Sequence, residues 1–301
     1  MIYIMKNIFK QAGYILMLLL AYLAFQAIFS FVAVIATILY ADAKGYISIA
    51  SFEQVMNYEN LISSSTVNDI YVWAISIGLF LSSVAMLLFL YCINGYRLRL
   101  SIFKSMPLKS LFLSTMLVLS SMFALNIFVQ WFGLEDKTGM LLGDVAHNII
   151  GVITIALVAP LLEEVLFRGA IQGYIMRRYN PWTGIVCAAL IFGIIHMNPV
   201  QTVYAALIGV IFGWIYYRTG SLLSVVAGHV LNNSMAALTL FFFPESNALP
   251  VPEGVIPPEA QIVSEVMAFL FFAALSVYFA VKLHRAQPPV PSPWRDVIDA
   301  V

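Results

Sequence analysis

Charge is what this sequence is short of. Asp, Glu, Lys and Arg make up 10% of its 301 residues, against roughly 25% in soluble domains. That shortage excludes an ordinary aqueous globule. Fifteen basic residues balanced by fifteen acidic ones exclude the basic face of a nucleic-acid binder. Cysteine is scarce as well: Cys92 and Cys187 lie in or at the edge of apolar runs and read as packing residues, not as a disulfide framework. No Gly-x-Ser-x-Gly and no His-Glu-x-x-His occurs, so neither a serine on a nucleophile elbow nor a zincin helix is indicated.

Apolar sequence is plentiful, at 62% of residues and a mean hydropathy of +0.93. Uncharged runs at Gly13–Ala41, Ile70–Tyr96, Ser110–Gly133, Val145–Leu162, Trp182–His196, Val200–Tyr217, Leu222–Phe243 and Val266–Val281 read as eight membrane helices. The fifth is shorter than the others. The first run exceeds the apolar core of a secretory signal peptide, so it reads as an uncleaved span. If the spans alternate from a cytoplasmic N-terminus, all of the fifteen basic residues except Lys44 and Lys137 fall inside. The positive-inside rule then puts both termini in the cytoplasm.

The expected fold class is therefore all-α: a polytopic, multi-pass integral membrane protein of about eight transmembrane helices in the lipid bilayer. Residues 1–285 form one transmembrane domain, and 286–301 a Pro-rich cytoplasmic tail with a polyproline-like stretch at Gln287–Trp294. Pro244–Glu265, with five prolines, reads as a loop. Gly169-x-x-x-Gly173 and Gly209-x-x-x-Gly213 would let helices pack closely and say little about function.

Of the acids, only Glu163 and Glu164 fall inside an apolar helix. Such residues cost roughly 2.5 to 3.5 kcal/mol each on insertion scales, so two in a row need a reason. Glu164 and Arg168 are four apart and share a helix face, which as a bland reading is a staple at the inner leaflet. That reading leaves Glu163, about 100° round the helix, unexplained. Pro160 predicts a kink just before the acids. His196, closing Phe192-Gly-Ile-Ile-His196, and His229, four residues before Asn233, are also in apolar runs. A lone histidine in a bundle is commonly a satisfied interhelical hydrogen bonder, and His147 and His284 near span ends take that reading or a surface one. At 1.5 Å per residue, Glu164, His196, His229 and Asn233 lie about 12 to 21 Å from the inner boundaries, so one shared site is plausible.

A carboxylate and an imidazole together can take a proton from water. A second histidine beside an asparagine amide offers donors to an oxyanion. The set Glu163, His196 and His229 also fits a two-histidine, one-carboxylate zinc site with an open position. Both readings point to hydrolysis.

Glu163-Glu164-x-x-x-Arg168, Phe192-x-x-x-His196 and His229-x-x-x-Asn233, in that order, resemble the motifs of the CAAX protease and bacteriocin-processing (CPBP, Abi) family of intramembrane proteases. The match covers Pro160 to Ser234, about 80 residues, within a protease core at about 145–243. The resemblance implies eight helices around a polar cavity open to the cytoplasm, in a bacterial inner (plasma) membrane. It implies an endopeptidase in which Glu163 and His196 activate water, His229 and Asn233 stabilise the oxyanion, and Glu164 and Arg168 support them. A membrane-associated or prenylated peptide or protein would be the substrate. A metal-free mechanism is preferred, because asparagine beside His229 suits an oxyanion better than a zinc shell. Two alternatives stay open: a non-catalytic immunity or scaffold protein, and a proton-coupled transporter, against which the absence of inverted repeats counts.

Overall fold

Apolar runs of this length fold as helices because a bilayer offers no partner to an unpaired backbone N–H or C=O. The computed structural model describes residues 2–47, 65–93, 103, 105–136, 139–242 and 257–287, and among these there is no strand. Three long helices come first: α1 (Ile2–Ala43), α2 (Ser65–Cys92) and α3 (Leu108–Gln130). A short helix, α4 (Gly139–Ala146), precedes α5 (Ile149–Met176). Then follow α6 (Pro181–Ile194), α7 (Pro199–Thr219), α8 (Leu222–Phe242) and α9 (Pro258–Ala286). Seven of these are long and apolar enough to cross a membrane, and α6 is shorter. The chain is an all-α, multi-pass membrane protein.

The boundaries follow from local chemistry. Asn148, Asn180 and Asn198 each accept a hydrogen bond from a backbone N–H in the first turn of the helix that follows them. Pro181 and Pro199 then occupy the first helical position, where a missing N–H costs nothing. Gly220, at φ 64°, ends α7 in the left-handed conformation that suits glycine.

Three expected limits change. The fourth uncharged run, Val145–Leu162, breaks at His147–Asn148, and the helix expected to hold both acids runs from Ile149 to Met176. An uncharged run ends at its first charge, whereas a helix carries through when its charges find partners. The sixth span is a full 21 residues, gaining Pro199 behind the Asn198 cap and Arg218 and Thr219 before Gly220. The end of the expected 244–265 loop is helical, since α9 begins at Pro258. Residues 244–256 of that loop lie outside the described residues, as does the tail from residue 288.

Helices α1 and α2, α3 and α9, and α6 and α7 pack as pairs, with α8 against α3 and α5. Contacts at the two ends fit an alternating passage. At one end Arg218 donates to the carbonyls of His284 and Gln287 at 2.8 and 2.6 Å, and Gln287 Nε2 donates to Ser110 Oγ at 2.6 Å. At the other, Trp131 Nε1 donates to Glu265 at 3.3 Å and Asn198 Nδ2 to Asp136 at 2.6 Å. Helix α5 runs between these ends through the protein interior, and every residue of Glu164–Gln172 is buried.

Next to Pro160, where the sequence predicts a kink, the hydrogen-bond register changes. The turn before it, Thr154–Val158, widens to a π-helix in which the Ala159 N–H donates to Thr154 rather than to Ile155. A second π-helical stretch, Glu164–Gln172, carries the ion pair.

Candidate active site

Helix α5 carries Glu164, Arg168 and Gln172 at four-residue intervals, with Arg168 and Gln172 bonded to α7. Arg168 Nη1 donates to Glu164 Oε1 at 3.0 Å, with both side chains out of contact with solvent or lipid. Burying two charges is costly, and the surroundings offset that cost. The guanidinium lies 4.5 Å from the ring centre of Phe192 on α6 and 5.1 Å from that of Phe212 on α7, a cation–π arrangement on both. Its Nη2 reaches the Gly209 carbonyl at 3.4 Å, and Gln172 Nε2 donates to the Gly213 carbonyl at 2.9 Å. The two glycines allow this approach. A Cβ on Gly209 would stand 3.3 Å from Arg168 Nη2, and one on Gly213 would stand 2.7 Å from Gln172 Oε1. The Gly209-x-x-x-Gly213 spacing thus serves the polar ladder of α5, a role its sequence did not disclose.

His229, on α8, meets both carboxylates. Its Nδ1 is 2.7 Å from Glu164 Oε1 and its Nε2 is 3.5 Å from Glu163 Oε2. A carboxylate only accepts, so Nδ1 is the donor toward Glu164. The Phe212 ring packs on the imidazole at 4.9 Å. The two glutamates are unequal. Glu164 is fully buried and shared between Arg168 and His229, whereas the Glu163 side chain keeps 14% of its surface accessible.

His196 follows the last turn of α6. Its Nδ1 is 2.7 Å from the Phe192 carbonyl, which only accepts, so Nδ1 carries a proton there. The ring stands edge-on to Phe192 at 4.9 Å, and Phe192 lies 6.0 Å from the His229 ring. Among the described residues no ion pair joins His196 to a carboxylate. The next residue, Met197, has φ 51°, and Asn198 is fully buried.

Asn233 lies one turn beyond His229 on α8. Its Nδ2 donates to the Ile155 carbonyl at 3.1 Å, and its Oδ1 accepts from Asn232 Nδ2 at 3.0 Å. Glu163, Glu164, Arg168 and His229 therefore form one bonded cluster. His196 joins it through Phe192, and Asn233 is tied to the π-helical turn of α5. His147 and His284 stand apart from it, His284 offering only its carbonyl to Arg218. Sequence reasoning missed Phe212, Gln172, Tyr204 and Asn232; only the doubled Asn232-Asn233 left a trace that could have been read. Among the described residues no group of three His, Cys, Asp or Glu is spaced to hold a metal ion. The suggested trio of Glu163, His196 and His229 does not form such a group.

Residues 145–235 match the family described as type II CAAX prenyl endopeptidase Rce1-like. The resemblance to the CAAX proteases holds. All seven motif residues lie inside the Rce1-like stretch, which runs from the end of α4 through most of α8. A Bacillus subtilis (strain 168) protein named "Putative membrane peptidase YdiL" is 24% identical over 116 residues, covering 38% of this chain and 48% of that protein. The chain thus matches about half the length of this curated relative. No solved structure matches.

Proposed function

We propose that the chain is an intramembrane endopeptidase in which Glu163 is the general base. The observation that carries the reading is the inequality of the two adjacent carboxylates. Glu164 is committed to Arg168 and His229, while Glu163 faces His229 Nε2 and stays accessible.

Glu163, assisted by His196 Nε2, takes a proton from water as the water oxygen bonds to the scissile carbonyl carbon. The carbonyl oxygen becomes an oxyanion, which a proton on His229 Nε2 and an Asn233 N–H stabilise. The C–N bond then breaks, and the proton held by Glu163 passes to the departing amine. Arg168 and Glu164 hold the His229 ring in orientation. Asparagine beside His229 supports a metal-free route. Activity should survive removal of zinc by a chelator; stoichiometric zinc whose removal abolishes cleavage would overturn that route.

The substrate is a membrane-associated or prenylated peptide, a class supported by the Rce1-like stretch and by the membrane setting. The distribution of basic residues supports an orientation with both termini in the cytoplasm, and the resemblance to a Bacillus subtilis protein supports a bacterial inner (plasma) membrane. The test of the base is cleavage of a quenched fluorogenic peptide bearing farnesyl-cysteine and three apolar residues, alongside a non-prenylated transmembrane peptide. Glu163→Gln should lower kcat by about 10² to 10⁴. Equal activity in wild type and variant would sink the reading.

A further inference from the structure

A side-chain amide is nearly symmetric in shape, so what fixes an asparagine's orientation is its hydrogen-bond partners, not its packing. Asn233 has such partners at both ends. Tyr204, on α7, donates its hydroxyl to Asn232 Oδ1 at 2.6 Å. That bond turns the Asn232 amide nitrogen toward Asn233 Oδ1, at 3.0 Å. With its oxygen so engaged, Asn233 directs its nitrogen to the Ile155 carbonyl at 3.1 Å.

The acceptor on α5 is available for a reason written in the chain. In the π-helical register of Thr154–Val158, where Ala159 donates to Thr154, the Ile155 carbonyl looks to residue 160. Residue 160 is proline and has no N–H to give. Asn233 supplies the missing donor. A flipped Asn233 would set oxygen against the Ile155 oxygen and nitrogen against the Asn232 nitrogen, two repulsive contacts in place of two bonds.

We infer that Tyr204 and Asn232 are positioning residues that orient the Asn233 amide, so that its one remaining N–H is held for the oxyanion. The inference rests on the hydrolysis proposed above and deepens it. A chain of bonds from α7 through α8 to α5 could instead serve only to strap the helices together, and the test must separate the two.

Tyr204→Phe and Asn232→Leu, each alone and each combined with Asn233→Ala, are assayed on the farnesylated peptide and on the transmembrane peptide. An orienting role predicts a kcat lower by about tenfold with KM unchanged. It also predicts no further loss in the Asn233→Ala background, because the effect passes through Asn233. In protein labelled with ¹⁵N-asparagine, the Asn233 side-chain amide signal, assigned by its disappearance in Asn233→Ala, should shift and lose exchange protection in Tyr204→Phe. Losses that add in the double variants, a wild-type kcat in Tyr204→Phe, or an unmoved amide signal would overturn the inference. If wild type cleaves neither peptide, the hydrolysis reading fails, and the amide signal alone decides whether Tyr204 orients Asn233.

Discussion

Adjacent residues of the same type can hold opposite positions in a protein's energetics, and Glu163 and Glu164 illustrate it. Removing one member of a buried, bonded charge pair costs about 3 to 5 kcal/mol, because the other is left uncompensated. Arg168→Met should therefore lower unfolding stability in detergent by that order, with Glu164 losing its 3.0 Å partner. Glu163→Gln, at an accessible carboxylate, should leave stability nearly unchanged while cleavage falls. A thermal or denaturant melt of both variants checks the contrast. Glu163, Glu164, Arg168, His196, His229 and Asn233 were legible in the sequence because charge, imidazole and an amide one turn from His229 stand out against an apolar background. Their partners were not. Phe192 carries a motif role, but nothing in a string of apolar residues says that Phe212 rather than Phe241 faces Arg168. Nor could helix periodicity show that His229 bridges both acids, since that depends on how α8 packs against α5.

At the scale of elements, the pairing of α5 with α7 depends on two absent side chains. A Cβ on Gly213 would come within 2.7 Å of Gln172 Oε1 and 3.1 Å of Ile185. Overpacking of this kind costs about 1 to 3 kcal/mol. Gly213→Ala should thus destabilise the fold more than Gly209→Ala, whose nearest contacts are 3.2 Å away; denaturation midpoints of the two variants would check the order. Helix existence was legible throughout, because long apolar runs have no other solution in a bilayer. Helix limits were less so. Val145–Leu162 was drawn to the edge of the charges, while α5 is set by the Asn148 cap at one end and its continuation past Arg168 at the other. Pro160 announced a distortion, but the π-helical register and the donor from α8 that completes it come from tertiary packing.

For the whole molecule, the end contacts make an alternating path that labelling can follow. Asp136 and Asn198 meet at one end, and Ser110, Arg218 and Gln287 at the other. Single cysteines at Glu135 and at Arg178, in a background lacking Cys92 and Cys187, should react with an impermeant maleimide from opposite faces of sealed vesicles. A shared face would break the eight-span alternation. With the orientation proposed above, Arg178 reports the cytoplasm.

Burial is also divided unevenly among the helices. In the apolar windows of α1 and α9, 11% and 6% of residues are buried within the protein, compared with 44% in α5 and 50% in α3. Helices α1 and α9 are mostly staves against lipid, and lipid distinguishes poorly between one apolar side chain and another. A saturation mutagenesis map should therefore be nearly flat along the first and last helices for apolar exchanges and deeply cratered along the fifth. Drift in such staves erases sequence likeness without harming the protein, and the Rce1-like stretch at residues 145–235 takes in neither of these two helices.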